Sequence, residues 1–101
     1  MTPKNGGKIE LRLGLATAAS AQYAAELETA AGSFRALVQV GDGAGPKQVD
    51  FGAWQGATPG EPPAWLTADA FAALKAALRT SRSGGRWPRR ITRWRPAPSD
   101  E

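Results

Sequence analysis

The chain has 101 residues and contains neither cysteine nor histidine, which excludes a disulfide framework, thiolate metal sites and the commonest catalytic base. Its length fits one small domain whose core is marginal alone, so we expect a homodimer. No apolar run approaches the roughly 20 residues of a membrane span, and the first residues lack the apolar region of a signal peptide. We therefore expect a cytoplasmic protein that is not an enzyme and uses no cofactor, metal or membrane.

The net charge of +4 is unevenly distributed along the chain. Residues 75–95 hold eight of the thirteen basic residues and no acidic residue. A run of charge is often only a solvated surface. Here the density of the run, and the tryptophans within it, favour a surface that binds a polyanion.

The first regular pattern covers residues 8–15. Ile9 and Leu11 alternate with Lys8 and Arg12, and the same period continues to residue 15. This alternation predicts a β-strand with one buried face.

The next segment, residues 16–32, leaves its own structure open. Its eight alanines favour a short helix, because alanine has the highest helix propensity. The alternation of Tyr23, Ala25 and Leu27 with polar neighbours instead favours a second, weaker strand. From the sequence, a helix, a strand and a loop all remain open for this segment.

A β-hairpin is predicted in the middle of the chain, with strands at residues 34–40 and 47–54. Both segments alternate in polarity, and the loop between them contains three glycines and a proline, which suit a chain reversal. The hairpin places Arg35, Lys47 and Trp54 on or beside one small sheet.

A helix is predicted over about residues 68–82. Thr67 has the residue type of an N-cap, Phe71 and Leu74 follow at helical spacing, and Gly84 suits the position just beyond the C-terminus. Phe71 and Leu74 are therefore expected to anchor this helix in the core.

Residues 83–95, here called the Trp/Arg segment, interleave apolar residues with arginines. Pro88 disfavours a continuous helix, so a short strand or an extended arm is expected. In one interpretation Trp87 and Trp94 cover the end of the core while the arginines reach water. In the other, the arginines neutralise phosphates and the tryptophans stack on unpaired bases.

The predicted organisation is thus one domain at residues 8–82, followed by the Trp/Arg segment. Residues 1–7 and 96–101 are rich in glycine, proline or acidic residues and are expected to be flexible.

The order of strand, glycine loop, strand, proline-containing loop and helix is similar to that of a known family. In that family a basic residue opens the second strand, a turn ends in Pro-Lys, and the third strand runs to an aspartate, an apolar residue and a tryptophan. A Leu-Thr pair then precedes an acidic helix start. The corresponding residues here are Arg35, Pro46, Lys47, Asp50, Phe51, Trp54, Leu66, Thr67, Asp69, Phe71 and Leu74.

On these residues the chain resembles the positive cofactor four family of transcriptional coactivators, and more closely its small bacterial members that bind single-stranded DNA. The resemblance covers about residues 8–78. It implies an α+β fold in which a curved four-stranded antiparallel sheet is followed by a C-terminal helix (ββββα), in a dimer with nucleic acid lying on the sheet. The chain departs from the family at Gly52, where a basic residue is common.

The function that follows is a dimeric module that binds single-stranded DNA or RNA with little sequence preference and acts like a transcription coactivator. The alternative is a protein-interaction adaptor that uses the Trp/Arg segment as its docking surface, because both residue types are enriched at binding hot spots. The predicted nucleic-acid-binding residues are Arg35, Lys47, Trp54, Arg86, Trp87, Arg89, Arg90, Arg93 and Trp94.

Overall fold

The computed structural model describes residues 6–56 and 60–96 and shows an α+β fold with an antiparallel five-stranded sheet. The spatial order of the strands is β4-β3-β2-β1-β5, so the first four form a meander and the fifth returns to pair with the first. The elements in chain order are β1 (Gly6–Ala16), β2 (Ser20–Thr29), β3 (Gly32–Gly41), β4 (Val49–Phe51), α1 (Ala64–Arg82) and β5 (Arg90–Pro96).

The two faces of the sheet have different surroundings, because successive side chains of a strand point to opposite sides. On the side that we call the helix-covered face, Ile9 pairs with Leu27 and Leu27 pairs with Phe34, and all three are buried. The helix packs on this face through Leu66, Leu74 and other buried residues. The opposite side, the open face, carries the polar residues of the same strands.

The segment at residues 16–32, whose structure the sequence left open, forms strand β2 over most of its length. Tyr23, Ala25 and Leu27 are buried on the helix-covered face between β1 and β3. Tertiary pairing on both sides has therefore outweighed the helix propensity of the alanines.

The sheet has five strands rather than the expected four, because the Trp/Arg segment supplies β5. This strand pairs antiparallel with β1 from Gly6↔Pro96 to Arg12↔Arg90. The Trp/Arg segment is therefore integrated into the sheet and is not a separate arm. Gly6 and Gly7, for which flexibility was expected, belong to β1, and Pro96 belongs to β5. Residues 1–5 and 97–101 lie outside those described.

The hairpin forms as predicted, but its second strand is shorter than residues 47–54. Strand β4 ends at Phe51, and the chain returns to the sheet only at Gln55, which bridges to Arg35 through N–H···O bonds of 2.6 and 2.7 Å. The irregular residues between them break the two-residue period. As a result Trp54 stacks on Phe51 instead of lying on the opposite side from it.

The helix begins at Ala64, earlier than predicted, with Pro63 at the N-cap. Thr67 is not the cap; its hydroxyl lies inside the first turns and donates to the Pro63 carbonyl at 3.2 Å. The fixed φ of proline suits the start of a helix and allows this earlier beginning. Gly84 lies just beyond the C-cap, as expected, with a φ of 92°.

Leu74 is fully buried beneath the helix, whereas Phe71 is only half-buried at its margin. The expectation of two core anchors is thus confirmed for Leu74 and holds only in part for Phe71. No helix within the described residues is long and apolar enough to cross a membrane.

Candidate nucleic-acid interface

Four segments of the chain converge at the end of the sheet where β1 passes into β2. The Asp42 N–H donates to the Ala19 carbonyl at 3.1 Å, the Ser81 hydroxyl donates to the Ala18 carbonyl at 3.4 Å, and Trp87 reaches the same turn. The β1–β2 turn, the β3–β4 loop, the C-terminus of α1 and the segment before β5 therefore form one surface. We call its cationic part the basic end; it comprises Lys47, Lys75, Arg79, Arg82, Arg86 and Arg89.

The helix contributes half of the basic end. Lys75, Arg79 and Arg82 are spaced by four and three residues, which places them on one side of α1. Lys75 Nζ donates to the Lys47 carbonyl at 3.4 Å, and Arg82 Nη1 donates to Gln48 Oε1 at 3.2 Å. The three cations thus lie along the β3–β4 loop, and the two near the helix C-terminus are also favoured by the helix dipole.

The cations of the basic end have no carboxylate partner within the described residues. All salt bridges among the described residues involve the carboxylate of Glu10 or of Asp69, and neither residue lies at the basic end. Six cations therefore outnumber the one carboxylate, that of Asp42, in the loops that form this surface, and they are available to an external anion.

Trp87 connects the basic end to the core through a hydrogen bond and a ring contact. Its side chain is only 9% exposed, its indole N–H donates to the Thr17 carbonyl at 2.8 Å, and its ring meets Tyr23 edge-on with centroids 6.4 Å apart. The Tyr23 hydroxyl donates to the Pro88 carbonyl at 2.7 Å, and burial raises the pKa of Tyr23 to about 12. The Trp87 ring is therefore buried against the core and is not free to stack on a base. This position agrees with the interpretation in which Trp87 covers the end of the core.

The open face lies beside the basic end, and its charges are nearly balanced. Rows of side chains cross the strands, and one such row runs Arg90, Arg12, Ala24, Leu37. The basic residues of this face are Lys8, Arg12, Arg35 and Arg90, and the acidic residues are Glu10, Glu26, Glu28 and Asp50. This balance of charge differs from the basic end, where the six cations form no salt bridge among the described residues.

Glu10 is the centre of the charged network on the open face. It is 7% exposed, its Oε2 accepts a hydrogen bond from Arg12 Nε at 2.8 Å, and the same oxygen forms salt bridges with Arg12 Nη2 at 2.7 Å and Arg90 Nη2 at 2.8 Å. Lys8 Nζ lies 4.0 Å from the other carboxylate oxygen. The hydrogen bond from Arg12, followed by the charges of the three cations, lowers the pKa of Glu10 below its ordinary value even though desolvation acts in the opposite direction.

A trough of about 710 Å³ runs across the open face. Small and apolar residues, among them Ala24, Leu37 and Ala53, lie along it, and Arg12 and Arg35 flank them. Leu37 is 59% exposed, which is unusual for a large aliphatic side chain in the middle of a sheet. The trough can therefore accept a flat, partly apolar group between charged side chains.

The remaining predicted residues occupy different sides of the sheet. Trp94 lies on the open face opposite Lys8 and is 45% exposed. Arg93 lies opposite the inward-facing Ile9, at the margin of the helix-covered face. Trp54 is half-buried on the helix side, where it stacks on Phe51 with ring centroids 5.4 Å apart.

The structure therefore divides the predicted site residues among several surfaces. Lys47, Arg86 and Arg89 lie at the basic end. Arg35, Arg90 and Trp94 lie on the open face, whereas Trp54 and Arg93 lie toward the helix side and Trp87 lies in the core.

Sequence reasoning did not name the helix cations or the outward residues of β1 as site residues. The three-and-four spacing of Lys75, Arg79 and Arg82 was a usable signal, since it places them on one side of a predicted helix. For Glu10 and Arg12 the signal was their position on the polar side of the first strand. Their role depends on Arg90, which only the β1–β5 pairing brings close.

No group of three or more potential metal ligands occurs among the described residues. Searches of protein-family models, of curated proteins and of solved structures found no match to this chain.

Proposed function

We propose that this protein binds single-stranded nucleic acid with little sequence preference, and that the basic end supplies the main contacts to phosphates. The observation that carries the proposal is the set of six cations at one end of the molecule with no carboxylate partner among the described residues. Such a surface attracts a polyanion, and it does so in a salt-dependent manner.

A single strand suits the surroundings of the basic end better than a duplex. Arg89 leads directly into Arg90, so positive charge continues from the basic end onto the open face. The half-exposed Trp94 and the apolar trough around Leu37 offer surfaces for unpaired bases. Stacking on an aromatic ring contributes about 1 to 3 kcal/mol per base.

The test is a titration of a fluorescently labelled oligothymidylate at several salt concentrations. Replacing Arg79, Arg82 and Arg86 together with glutamine should weaken binding and flatten its salt dependence. For a single strand, each phosphate that is no longer neutralised lowers the slope of log affinity against log salt by about 0.7.

A matched control distinguishes a specific phosphate interaction from a change in net charge. Arg82→Gln and Arg95→Gln each remove one positive charge, but Arg95 lies 3.5 Å from Asp69 and far from the basic end in the fold. Only Arg82→Gln should lower the slope of log affinity against log salt by about 0.7, the value expected for the loss of one phosphate contact. Equal effects of the two variants would contradict the assignment of the basic end.

Competition with an unlabelled duplex of the same length tests the preference for a single strand. We expect the duplex to displace the labelled strand only at higher concentration, because paired bases cannot enter the trough. If the wild-type protein binds no oligonucleotide at low salt, the proposal is wrong and the adaptor function takes its place.

The homodimer expected from the small size of the core is part of the same proposal. Leu15 is 77% exposed in the single chain and is a candidate for burial against a second copy. Size-exclusion chromatography with light scattering measures the oligomeric state directly. A monomer at micromolar concentration would remove the dimer and leave the binding proposal intact.

A further inference from the structure

We propose that Arg12 and Arg90 form a clamp for one phosphate group on the open face, and that Glu10 positions both guanidinium groups for it. The inference rests on the proposed nucleic-acid function and deepens it, because it fixes a phosphate contact outside the basic end.

The clamp arises from the pairing of the first and last strands. Arg12 and Arg90 face each other directly across the β1–β5 ladder. Arg12 Nε donates to Glu10 Oε2 at 2.8 Å, and Arg12 Nη2 and Arg90 Nη2 form salt bridges with the same oxygen at 2.7 and 2.8 Å. One carboxylate oxygen therefore draws two guanidinium groups together.

The positive groups are accessible while the negative group is not. The side chains of Arg12 and Arg90 are 65% and 59% exposed, whereas that of Glu10 is 9% exposed. Arg12 Nη1, Arg90 Nε and Arg90 Nη1 have no hydrogen-bond partner among the described residues. The outward-facing donors are thus free for an oxyanion, which guanidinium groups bind in a fixed planar geometry.

The local charge also favours an anion. Two guanidinium groups share one carboxylate, and Lys8 adds a third cation 4.0 Å from Glu10. The nearest other acids are Glu26 and Glu28, which lie on the next strand opposite Glu10 and Lys8. Glu28 lies opposite Lys8, and Glu26 also lies opposite Arg35 on β3. If these two pairs neutralise each other, Arg12, Arg90 and Glu10 keep one net positive charge.

The position of the clamp indicates the class of ligand. Arg90, Arg12, Ala24 and Leu37 form one row across the sheet, and the last three line the trough. A phosphate held by the clamp would place an attached sugar and base over the apolar part of that row. The ligand is accordingly a nucleotide phosphate, either a phosphodiester within a strand or the terminal phosphate of a free nucleotide.

Glu10→Gln tests the positioning role, because this role and simple charge attraction predict opposite changes in the affinity for oligothymidylate. The substitution adds one unit of positive charge, so simple attraction to a polyanion would make oligothymidylate binding tighter. Loss of the anchor should instead weaken it by about tenfold, the value of one charge-assisted hydrogen bond. Tighter binding by Glu10→Gln would overturn the positioning role.

The double substitution of Arg12 and Arg90 by lysine tests the clamp at constant charge. We expect about tenfold weaker binding, because lysine lacks the planar fork of arginine. Arg93→Lys on the same strand, with no ion pair among the described residues, is the control and should leave affinity unchanged. Wild-type affinity in the double variant would overturn the clamp, whether or not Glu10→Gln folds.

The outcomes for the clamp and for the proposed function can be told apart. The arginine Nε–Hε NMR signals of Arg12 and Arg90 are followed during addition of thymidine 5′-monophosphate and, separately, of oligothymidylate. Shifts with both probes support a clamp that serves strand binding, whereas shifts with the mononucleotide alone support the clamp and contradict the proposed function. Oligothymidylate binding without any shift of these signals contradicts the clamp and leaves the basic end in place.

Discussion

The two faces of the sheet are built from alternate residues of the same strands, yet they depend on different interactions. On the helix-covered face, Ile9, Leu27 and Val38 are fully buried and pack with α1. On the open face, Glu10 and Arg12 interact through charge, and Leu37 remains exposed. Stability should therefore depend on the first face and binding on the second, and substitutions on each should separate the two properties.

The largest contrast is expected between two leucines. Leu74→Ala removes a fully buried side chain between α1 and the sheet and should lower the free energy of unfolding by about 2 to 5 kcal/mol. Leu37→Ala, the same change on the open face, should alter it by about 0.5 kcal/mol or less. Urea denaturation measures both. A larger decrease for Leu37→Ala would show that the open face is covered in solution.

The two tryptophans of the Trp/Arg segment offer a smaller contrast. Trp87→Phe keeps an aromatic ring beside Tyr23 but removes the bond to the Thr17 carbonyl, which should cost about 1 to 3 kcal/mol. Trp94→Phe should be nearly neutral for stability, since that ring is half-exposed. Thermal and urea unfolding measure the stability of each variant relative to the wild type. Equal decreases in the two variants would contradict the different roles of the two rings.

Tyr23 provides a spectroscopic measure of the buried face, because it is the single tyrosine of the chain. Absorbance of tyrosinate should rise with a midpoint near pH 12 in the folded protein and near its ordinary value of about 10 in urea. Since the folded-state pKa is raised, the associated stability is complete below pH 10 and is lost as pH rises toward 12. Tyr23→Phe should lack this pH dependence, and an unshifted midpoint in the folded protein would contradict the burial.

The smallest expected effect is the contribution of Glu10 to stability, and it should depend on pH in the acidic range. Its pKa is lowered in the folded protein, so its contribution is present above its ordinary pKa of 4.5 and disappears as pH falls below that value. The stability of the wild type relative to Glu10→Gln should therefore decline between about pH 5 and pH 3. A difference that does not change with pH would show that the carboxylate is not held by its arginines in solution.

Much of the fold followed from local pattern, because alternation alone marks which strand residues are buried. Ile9 and Leu11 lie inward as predicted. The structure of β2 was not decidable from the sequence, since alanine fits both a helix and a strand, and its pairing with β1 and β3 settled the choice. The helix start was misplaced because Thr67 has the residue type of an N-cap, while Pro63 takes that position.

The part of the candidate site that depends on the number of basic residues in a segment was predictable from the sequence. The part that depends on which segments pack together was not. The density of basic residues over residues 75–95 predicted a cationic surface. Five of these eight residues belong to the basic end together with Lys47, whereas Arg90, Arg93 and Arg95 lie on β5. No local signal showed that Trp87 would be buried while Trp94 stays exposed, because both have arginine neighbours. That difference arises from the route of the chain past Thr17 and Tyr23.

Among the described residues, β4 and β5 form the two edges of the sheet, and each edge is protected against adding a further strand in a different way. Strand β4 is only three residues long and offers few backbone groups to a neighbour. Strand β5 is longer, but Arg90, Arg93 and Arg95 would face like charges if two copies met edge to edge. Growth of this sheet into a continuous β-structure is therefore disfavoured at both edges, and the second copy of the proposed dimer would associate through a face of the molecule.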